Sequence, residues 1–243
     1  MHKSNIIFLH GWLFDSRIWY KLPEMFNNQY NIEIHDLPGY GTNKNDIQSH
    51  ENYCLKIFSR NEPCFVVAYS YSGLLALNAI SNPQCNIRKM ILINSKFDSS
   101  TNNDQLINQE NINNLIKSLD IDRVGAIKKF MFECTRYSQT SKSDYKNIIE
   151  IFDVDSLPSN EILKSNLMYM NKFKPITITN NLYDKILSIV SNNDKLIGES
   201  SVIPENKNII KYHLDGLGHI PFINGSQKIY TIIKRFLEVE RKI

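Results

Sequence analysis

One serine in the stretch FVVAYSYSGLLALNAI, residues 65–80, has the surroundings of a nucleophile. The G-x-S-x-G elbow places a serine on a sharp turn between a strand and a helix, with small residues two positions to either side. Around Ser70 these positions are Ala68 and Ser72. Around Ser72 one of them would be Leu74, whose side chain should collide with the neighbouring backbone. We therefore assign the nucleophile to Ser70, although both glycines of the elbow pattern are replaced.

A serine hydroxyl needs a histidine base and a carboxylate that orients this base. Proteins with this elbow present the three residues in the order Ser, Asp, His. Asp194 follows an apolar run in LSIVSNNDKL, and His219 follows the last such run in YHLDGLGHIPF. We assign the acid and the base to them, because both come after predicted strands and in the expected order. The residues that compete for these roles are Asp184, Asp215, His10, His35 and His213.

A third strand end, IIFLHGW at residues 6–12, completes the chemistry. In sites of this kind two backbone N–H groups stabilise the developing oxyanion, one from the residue after the nucleophile and one from the loop after an early strand. Tyr71 and Trp12 occupy these two positions. We therefore expect the oxyanion hole at their main-chain nitrogen atoms.

The elements that must position these residues alternate between strands and helices. Short β-rich runs predict buried strands, and the helical patterns between them are typical of a largely parallel sheet covered on both faces. The predicted strands are residues 5–9, 30–35, 64–69, 89–94, 185–191 and 209–214, and the predicted helices include 16–26, 72–81 and 226–240. Four helical segments without a strand follow from about 98 to 180. We predict an α/β core, residues 1–97 and 181–243, with an inserted helical cap.

The second cap segment, DRVGAIKKFMFEC, has apolar residues at helical spacing. Val124, Ile127, Met131 and Cys134 should form one apolar face. The spacing leaves open whether this face covers the core or a cleft.

The composition is that of an ordinary globular chain. Its 243 residues, 42% of them hydrophobic, suffice for one sizeable core and predict a single domain. A net charge of +3 is too mild to indicate nucleic acid or a membrane as the main partner. The 4 cysteines lack metal-site spacing, which favours free thiols over a zinc site or disulfides. The first residues resemble neither a signal peptide nor a membrane span, and we expect a cytoplasmic monomer.

Five motifs in this order resemble the α/β-hydrolase superfamily: FLHGW, DLPGYG, AYSYSG, NNDKL and GHIPFI. More narrowly, HGW, a DLPGxG loop, an elbow followed by Gly-Leu, and GHxPF are similar to the BioH-type pimeloyl-(acyl-carrier protein) methyl ester esterases of biotin synthesis. The likeness spans both ends of the predicted core and is weaker in the cap.

The resemblance implies an α/β-hydrolase fold and hydrolysis of the methyl ester on a pimeloyl chain that stays attached to its carrier protein. It implies no cofactor and no metal. The family's roles carry over to a catalytic Ser70, Asp194 and His219, to oxyanion donors and substrate contacts at Trp12 and Tyr71, and to a substrate contact at Phe130.

The resemblance also implies that an acidic acyl carrier protein docks on a basic face of the cap. Residues 122–146 contain six basic and three acidic side chains. Lys142 and Lys146 lie four residues apart after a capping pair, Ser141 and Asp144, and should share one helix face. With Lys129, they are the expected carrier contacts, although lysine stands where the family usually has arginine.

Three other functions stay open. The chain could be a general short-chain carboxylesterase. It could be a lyase of menaquinone synthesis or a carbon-carbon hydrolase that uses the same three residues. The replaced elbow glycines also fit a ligand-binding protein that kept the fold and lost catalysis.

Overall fold

The computed structural model describes residues 3–95, 108–173, 180–197 and 209–239. Six strands form one sheet in the order β2-β1-β3-β4-β5-β6, and every neighbouring pair is parallel. The strands are β1 (Asn5–Leu9), β2 (Asn31–His35), β3 (Cys64–Tyr69), β4 (Ile87–Ile93), β5 (Ile186–Ser191) and β6 (Ile210–Leu214). All six predicted strands are confirmed, and with them the predicted α/β class.

The two outer strands differ from the expectation that all six are buried. β3 and β5 are buried along their whole length, whereas β2 has no fully buried residue and β6 buries only Leu214. β2 and β6 are the edges of the sheet and have one neighbouring strand each. Apolar composition predicted the strands, but it could not predict which of them lie at the edges.

In the described ranges, three α-helices accompany the strands of the core: α1 (His50–Phe58), α2 (Tyr71–Ile80) and α8 (Phe222–Glu238). Between β4 and β5 lie α3 (Gln109–Ile121), α4 (Arg123–Thr135), α5 (Ser141–Ile151) and α6 (Asn160–Lys172), followed by the short α7 (Asn180–Tyr183). The four helices predicted for the cap are therefore found. The predicted cap boundary at residue 98 lies outside the described residues, and the division into core and cap stays a prediction.

Residues 16–26 do not form the single helix that their sequence predicted. They contain two short 3₁₀ helices, Ser16–Trp19 and Pro23–Phe26. Tyr20, between them, has a φ of 50°, which is incompatible with a continuous right-handed helix. Pro23 also lacks the backbone N–H that such a helix would use.

Two expectations about the cap helices are corrected by the structure. Ile127, Met131 and Cys134 lie on the buried face of α4, but Val124 is 46% exposed. Ser141 and Asp144 are not a capping pair, since Thr140 is the N-cap residue of α5.

Candidate active site

Ser70 lies on a strained turn between β3 and α2. Its φ of 52° and ψ of −116° are rare for a residue with a side chain. The backbone N–H of Ser70 donates to the carbonyl of Ile93 at 2.9 Å, which fixes the turn to the next strand. The hydroxyl group therefore stands at the carboxyl edge of the sheet, where ligands of parallel α/β folds bind.

Ser72, which replaces an elbow glycine, has a structural role in this turn. Its hydroxyl donates to the carbonyl of Leu9 at 2.7 Å and accepts from the backbone N–H of Tyr69 at 3.0 Å. These bonds connect β3 to β1. The elbow therefore accommodates a serine where the usual pattern has glycine.

Two glycines allow the close approaches that the turn requires. A Cβ atom on Gly11 would lie 2.9 Å from the ring of Tyr69, and one on Gly73 would overlap the side chain of Ser95. The loop after β1 can therefore lie directly against the Ser70 turn.

The three residues assigned to catalysis from the sequence lie within hydrogen-bond distance of one another. Nε2 of His219 is 2.9 Å from Oγ of Ser70, and Nδ1 of His219 is 2.6 Å from Oδ2 of Asp194. The other carboxylate oxygen of Asp194 accepts the backbone N–H of Leu196 at 2.9 Å. All three side chains are largely buried, with residue exposures of 9% for Ser70, 3% for Asp194 and 2% for His219.

These contacts define the hydrogen-bond roles of His219. An ionised carboxylate can only accept, so Nδ1 of His219 carries the proton and donates to Asp194. Nε2 is then free to accept the hydroxyl proton of Ser70. This arrangement can activate a serine for attack on an acyl carbon.

His10 holds the loop that carries Trp12. Its Nδ1 donates to the carbonyl of Gly11 at 2.9 Å, and its Nε2 accepts the backbone N–H of Leu37 at 2.9 Å. Burial lowers the pKa of His10, which favours the neutral ring that these two contacts require. His10 is therefore engaged in a structural role and is not a competing base.

The backbone N–H groups of Trp12 and Tyr71 donate to no acceptor among the described residues. β1 pairs with β3 so that Leu9 lies opposite Ala68, which brings the loops that follow the two strands side by side. The N–H of Trp12 lies in the loop after β1 and that of Tyr71 at the first residue of α2, next to Ser70. Their role as oxyanion donors stays a prediction.

The side chain of Tyr71 bonds to a buried histidine. Its hydroxyl donates to Nδ1 of His50 at 3.0 Å, while Nε2 of His50 donates to the carbonyl of Pro38 at 2.8 Å. Burial lowers the pKa of His50 to about 4 and raises that of Tyr71. The Tyr71 ring also makes an edge contact with Tyr169 of α6, at 5.9 Å between ring centres.

Ser70 lines a cavity of about 260 Å³ between the core and the cap helices. Trp12, Phe130, Leu167 and Leu196 contribute apolar walls to it. The indole of Trp12 donates to the carbonyl of Leu163 at 3.0 Å and meets the ring of Phe130 edge-on, at 4.6 Å between centres. Trp12 and Phe130 thus line the same cavity as Ser70, whereas Tyr71 is not among the described residues that line it.

The three lysines assigned to carrier binding occupy two positions on the cap. Lys129 lines the cavity, next to Phe130 on α4. Lys142 and Lys146 are exposed on α5, and Nζ of Lys146 lies 3.7 Å from Oε1 of Glu150. Arg123, counted in the basic segment, instead donates to the carbonyl of Pro158 at 2.8 Å. It is therefore engaged in packing within the cap.

Among the described residues, none of the competing acids and bases forms a hydrogen bond with Ser70. Asp215 accepts from Asn192, and His213 also bonds to Asn192. His35 bonds to the hydroxyl of Tyr53.

Within the described ranges, no group of three His, Cys, Asp or Glu side chains could hold a metal ion. None of the helices in these ranges has the length and apolar content to cross a membrane.

Sequence reasoning missed two buried polar residues beside the site, Asn94 and His50. Asn94 is the residue directly after β4, so its position at a strand end gave a usable signal. His50 gave none, because its partners Tyr71 and Pro38 are distant in sequence and no motif connects them.

The chain resembles named esterases over almost its whole length, although no protein-family model matches it. The pimeloyl-(acyl-carrier protein) methyl ester esterase of Wigglesworthia glossinidia brevipalpis is 28% identical over 250 residues, covering 96% of this chain and 93% of the relative. The esterase of the same name from Xanthomonas oryzae pv. oryzae (strain MAFF 311018) is 22% identical over 242 residues, covering 97% of this chain and 96% of the relative.

Solved structures show the same architecture. A thermophilic esterase from Thermogutta terrifontis superposes with a TM-score of 0.73 at 14% identity, covering 98% of this chain and 90% of that protein. MenH from S. aureus superposes with a TM-score of 0.70 at 19% identity, covering 100% of this chain and 96% of that protein. The chain therefore has the α/β-hydrolase fold and is confirmed to resemble, in sequence, the pimeloyl-(acyl-carrier protein) methyl ester esterases.

Proposed function

We propose that the protein is a serine carboxylesterase in which Ser70 is the nucleophile, His219 the base and Asp194 the acid. The observation that supports this most strongly is the buried series of contacts from Asp194 through His219 to Ser70, which ends in the wall of a cavity with both apolar and polar lining. A ligand-binding protein without activity would not need this geometry, nor the strained backbone at Ser70.

The reaction follows from these contacts. His219 accepts the hydroxyl proton of Ser70 at Nε2 while Oγ attacks the ester carbonyl, and the backbone N–H groups of Trp12 and Tyr71 stabilise the oxyanion. The tetrahedral intermediate collapses, and His219 returns the proton to the leaving alkoxide, which departs as an alcohol. Water, deprotonated by His219, then attacks the acyl-enzyme. Ser70 recovers its proton and the acid product leaves.

We further propose that the substrate is the methyl ester of pimeloyl-(acyl-carrier protein), so that the alcohol released is methanol. The names of the similar proteins from Wigglesworthia and Xanthomonas support this substrate. The cavity supports it independently, because walls formed by Trp12, Phe130 and Leu167 suit a short aliphatic acyl chain. Only the ester carbonyl has to reach Ser70, and the carrier stays outside.

The carrier is proposed to contact the cap at Lys129, Lys142 and Lys146. Lys142 and Lys146 are four residues apart on α5 and exposed, so they can attract an acidic partner. The contact of Lys146 with Glu150 is an exposed pair and does not prevent this, since such pairs contribute little. A basic docking face would act mainly on the rate of association, and salt should weaken its effect.

The first experiment is demethylation of pimeloyl-acyl-carrier-protein methyl ester, followed by mass spectrometry, with Ser70→Ala as control. We expect the wild type to remove the methyl group and the variant to be inactive. Hydrolysis of short p-nitrophenyl esters through Ser70 without demethylation would leave a general carboxylesterase. No Ser70-dependent hydrolysis of any ester would refute the proposal.

Charge reversal tests the carrier contact. The double variant Lys142→Glu/Lys146→Glu should lower kcat/KM for the carrier-bound ester and leave a small p-nitrophenyl ester unaffected. Lys21→Glu/Lys56→Glu is the matched control, because it makes the same charge change on exposed lysines outside the cap. Equal losses in the two double variants, or equal losses on the two substrates, would contradict a carrier site on α5.

A lyase of menaquinone synthesis is the second candidate, because MenH from S. aureus has a similar fold. A lyase would eliminate from its substrate without water as co-reactant. Incubation with the lyase substrate distinguishes the two functions, since an esterase should leave that substrate unchanged.

A further inference from the structure

Asn94, the residue directly after β4, is fully buried and lies at the same edge of the sheet as Ser70. Its φ is 44°, a left-handed conformation that asparagine tolerates better than most residues with a side chain. Its backbone N–H donates to the carbonyl of Ile189, so the main chain is fixed to β5. The side chain is thereby directed among the loops that carry the acid and the base.

The amide of Asn94 connects these two loops. Its Oδ1 accepts the backbone N–H of Ser191 at 2.8 Å. Its Nδ2 lies 3.0 Å from the carbonyl oxygen of His219, 3.0 Å from Oγ of Ser191 and 3.2 Å from the carbonyl oxygen of Gly218. One side chain thus bonds both to the last residue of β5, which precedes the acid loop, and to the main chain of His219 itself.

The main chain of His219 is held from two sides. Asn94 binds its carbonyl group, and its N–H donates to the carbonyl of Cys134 in α4 at 3.0 Å. On the acid side, the backbone N–H of Asp194 donates to the carbonyl of Ser191 at 3.0 Å. Asn94 thus bonds directly to the main chain of His219 and, through Ser191, indirectly to that of Asp194. Among the hydrogen bonds of the described residues, none joins its side chain to the imidazole ring or the carboxylate.

We infer that Asn94 is a positioning residue that sets the distance between Asp194, His219 and Ser70. This inference rests on the proposed function. Proton transfer between Ser70 and His219 requires their present 2.9 Å separation, and small displacements of reacting groups have large kinetic effects. A buried amide with several partners fixes both loops in one arrangement, whereas apolar packing at this position would hold neither carbonyl group.

The test compares Asn94→Gly with Asn86→Gly. Glycine tolerates the φ of Asn94, so the first variant removes the amide without straining the backbone. Asn86 is the matched control, because its Nδ2 also donates to two backbone carbonyls, of Arg60 and Asn61, but on the loop between α2 and β4, at the opposite edge of the sheet. The concentration of active sites is measured by titration with a fluorophosphonate. For a short p-nitrophenyl ester, kcat is then calculated per titrated site, and KM is measured with the same ester.

We expect Asn94→Gly to lower kcat by about 10- to 100-fold per titrated site, with KM unchanged. Asn86→Gly should change neither value. Asn94→Asp, which keeps the shape and the acceptor for Ser191 but not the two N–H groups, should behave like Asn94→Gly. Wild-type kcat per site in both Asn94 variants would overturn the inference. Failure of both variants to fold would also overturn it, because Asn94 would then serve the stability of the core.

A second readout separates this inference from the proposed function. The proton that His219 shares with Asp194 can be observed by NMR in histidine-labelled protein, whether or not the protein hydrolyses esters. We expect to observe the resonance of this proton in the wild type and in Asn86→Gly. In Asn94→Gly we expect the resonance to be absent. An unchanged resonance in Asn94→Gly would refute the positioning role. Absence of Ser70-dependent hydrolysis in the wild type would refute only the proposed function.

Discussion

Replacing Asp194 by asparagine should inactivate the protein by changing the protonation of His219, with little change in shape. Oδ1 of Asp194 accepts the backbone N–H of Leu196, so the amide oxygen of an asparagine would take this position. Its NH₂ group would then face Nδ1 of His219, where a carboxylate oxygen now lies 2.6 Å away. His219 would have to accept at Nδ1 and carry its proton on Nε2.

The magnitude follows from this change of tautomer. A proton on Nε2 points at Oγ of Ser70, 2.9 Å away, so His219 could no longer accept the hydroxyl proton. In a serine protease the equivalent substitution lowers kcat by about 10⁴-fold, which corresponds to about 5 kcal/mol in activation free energy. KM should be nearly unchanged, because Asp194 is not among the described residues that line the cavity.

The assay is hydrolysis of a short p-nitrophenyl ester at neutral pH, per folded protein as judged by thermal melting. Asp215→Asn is the control, since Asp215 lies four residues before His219 and competed with Asp194 for the acid role. In the structure Asp215 is exposed and bonds to Asn192, so its substitution should leave kcat unchanged. If Asp194→Asn lost less than about ten-fold in kcat, the tautomer argument would be wrong.

Three further predictions concern the surroundings of the site. Gly73→Ala should destabilise the protein or abolish activity, because the added Cβ would overlap Ser95; a melting curve and a p-nitrophenyl assay check this. Trp12→Phe should raise KM more than it lowers kcat, since it removes the indole bond to Leu163 and part of the cavity wall but keeps the backbone N–H of residue 12, as steady-state kinetics would reveal. Burial lowers the pKa of His50 from 6.5 to about 4, so the folded state resists protonation and stability should fall as the pH falls from 6.5 to 4. The loss is about 3 kcal/mol, and urea unfolding across this range should detect a smaller loss in His50→Gln.

The order of elements and the proximity of the three candidate catalytic residues were predictable because each depends on local sequence. The strands are apolar runs, and Ser70, Asp194 and His219 each follow one of them. Parallel strands bring such positions to one edge of the sheet, which is how residues far apart in sequence come together. The structure places these three within hydrogen-bond distance of one another, as their order predicted.

The remaining features depend on tertiary contacts that no local pattern encodes. Val124 fits the helical period of α4 and is nevertheless exposed, so the period alone did not predict which of these residues pack. Tyr71 has the expected backbone position, but its side chain bonds to His50, which the sequence places 21 residues away. Asp144 has the sequence context of a cap, and the structure instead buries it as an acceptor for Ser138 and Asn224.

Asp144 is part of a set of hydrogen bonds that joins the cap to the loop carrying His219. Asn224 at the start of α8 donates to Asp144, the backbone N–H of Gln139 donates to the carbonyl of Gly216, and that of His219 donates to the carbonyl of Cys134. Because α4 also contributes walls of the cavity, the same helix borders the proposed substrate site and bonds to the main chain of His219. A cap that moved away as a rigid body would break these bonds and displace His219. The substrate should therefore enter with α4 in place, and Asp144→Ala, which removes the acceptor for Asn224, should lower kcat as well as raise KM in steady-state assays.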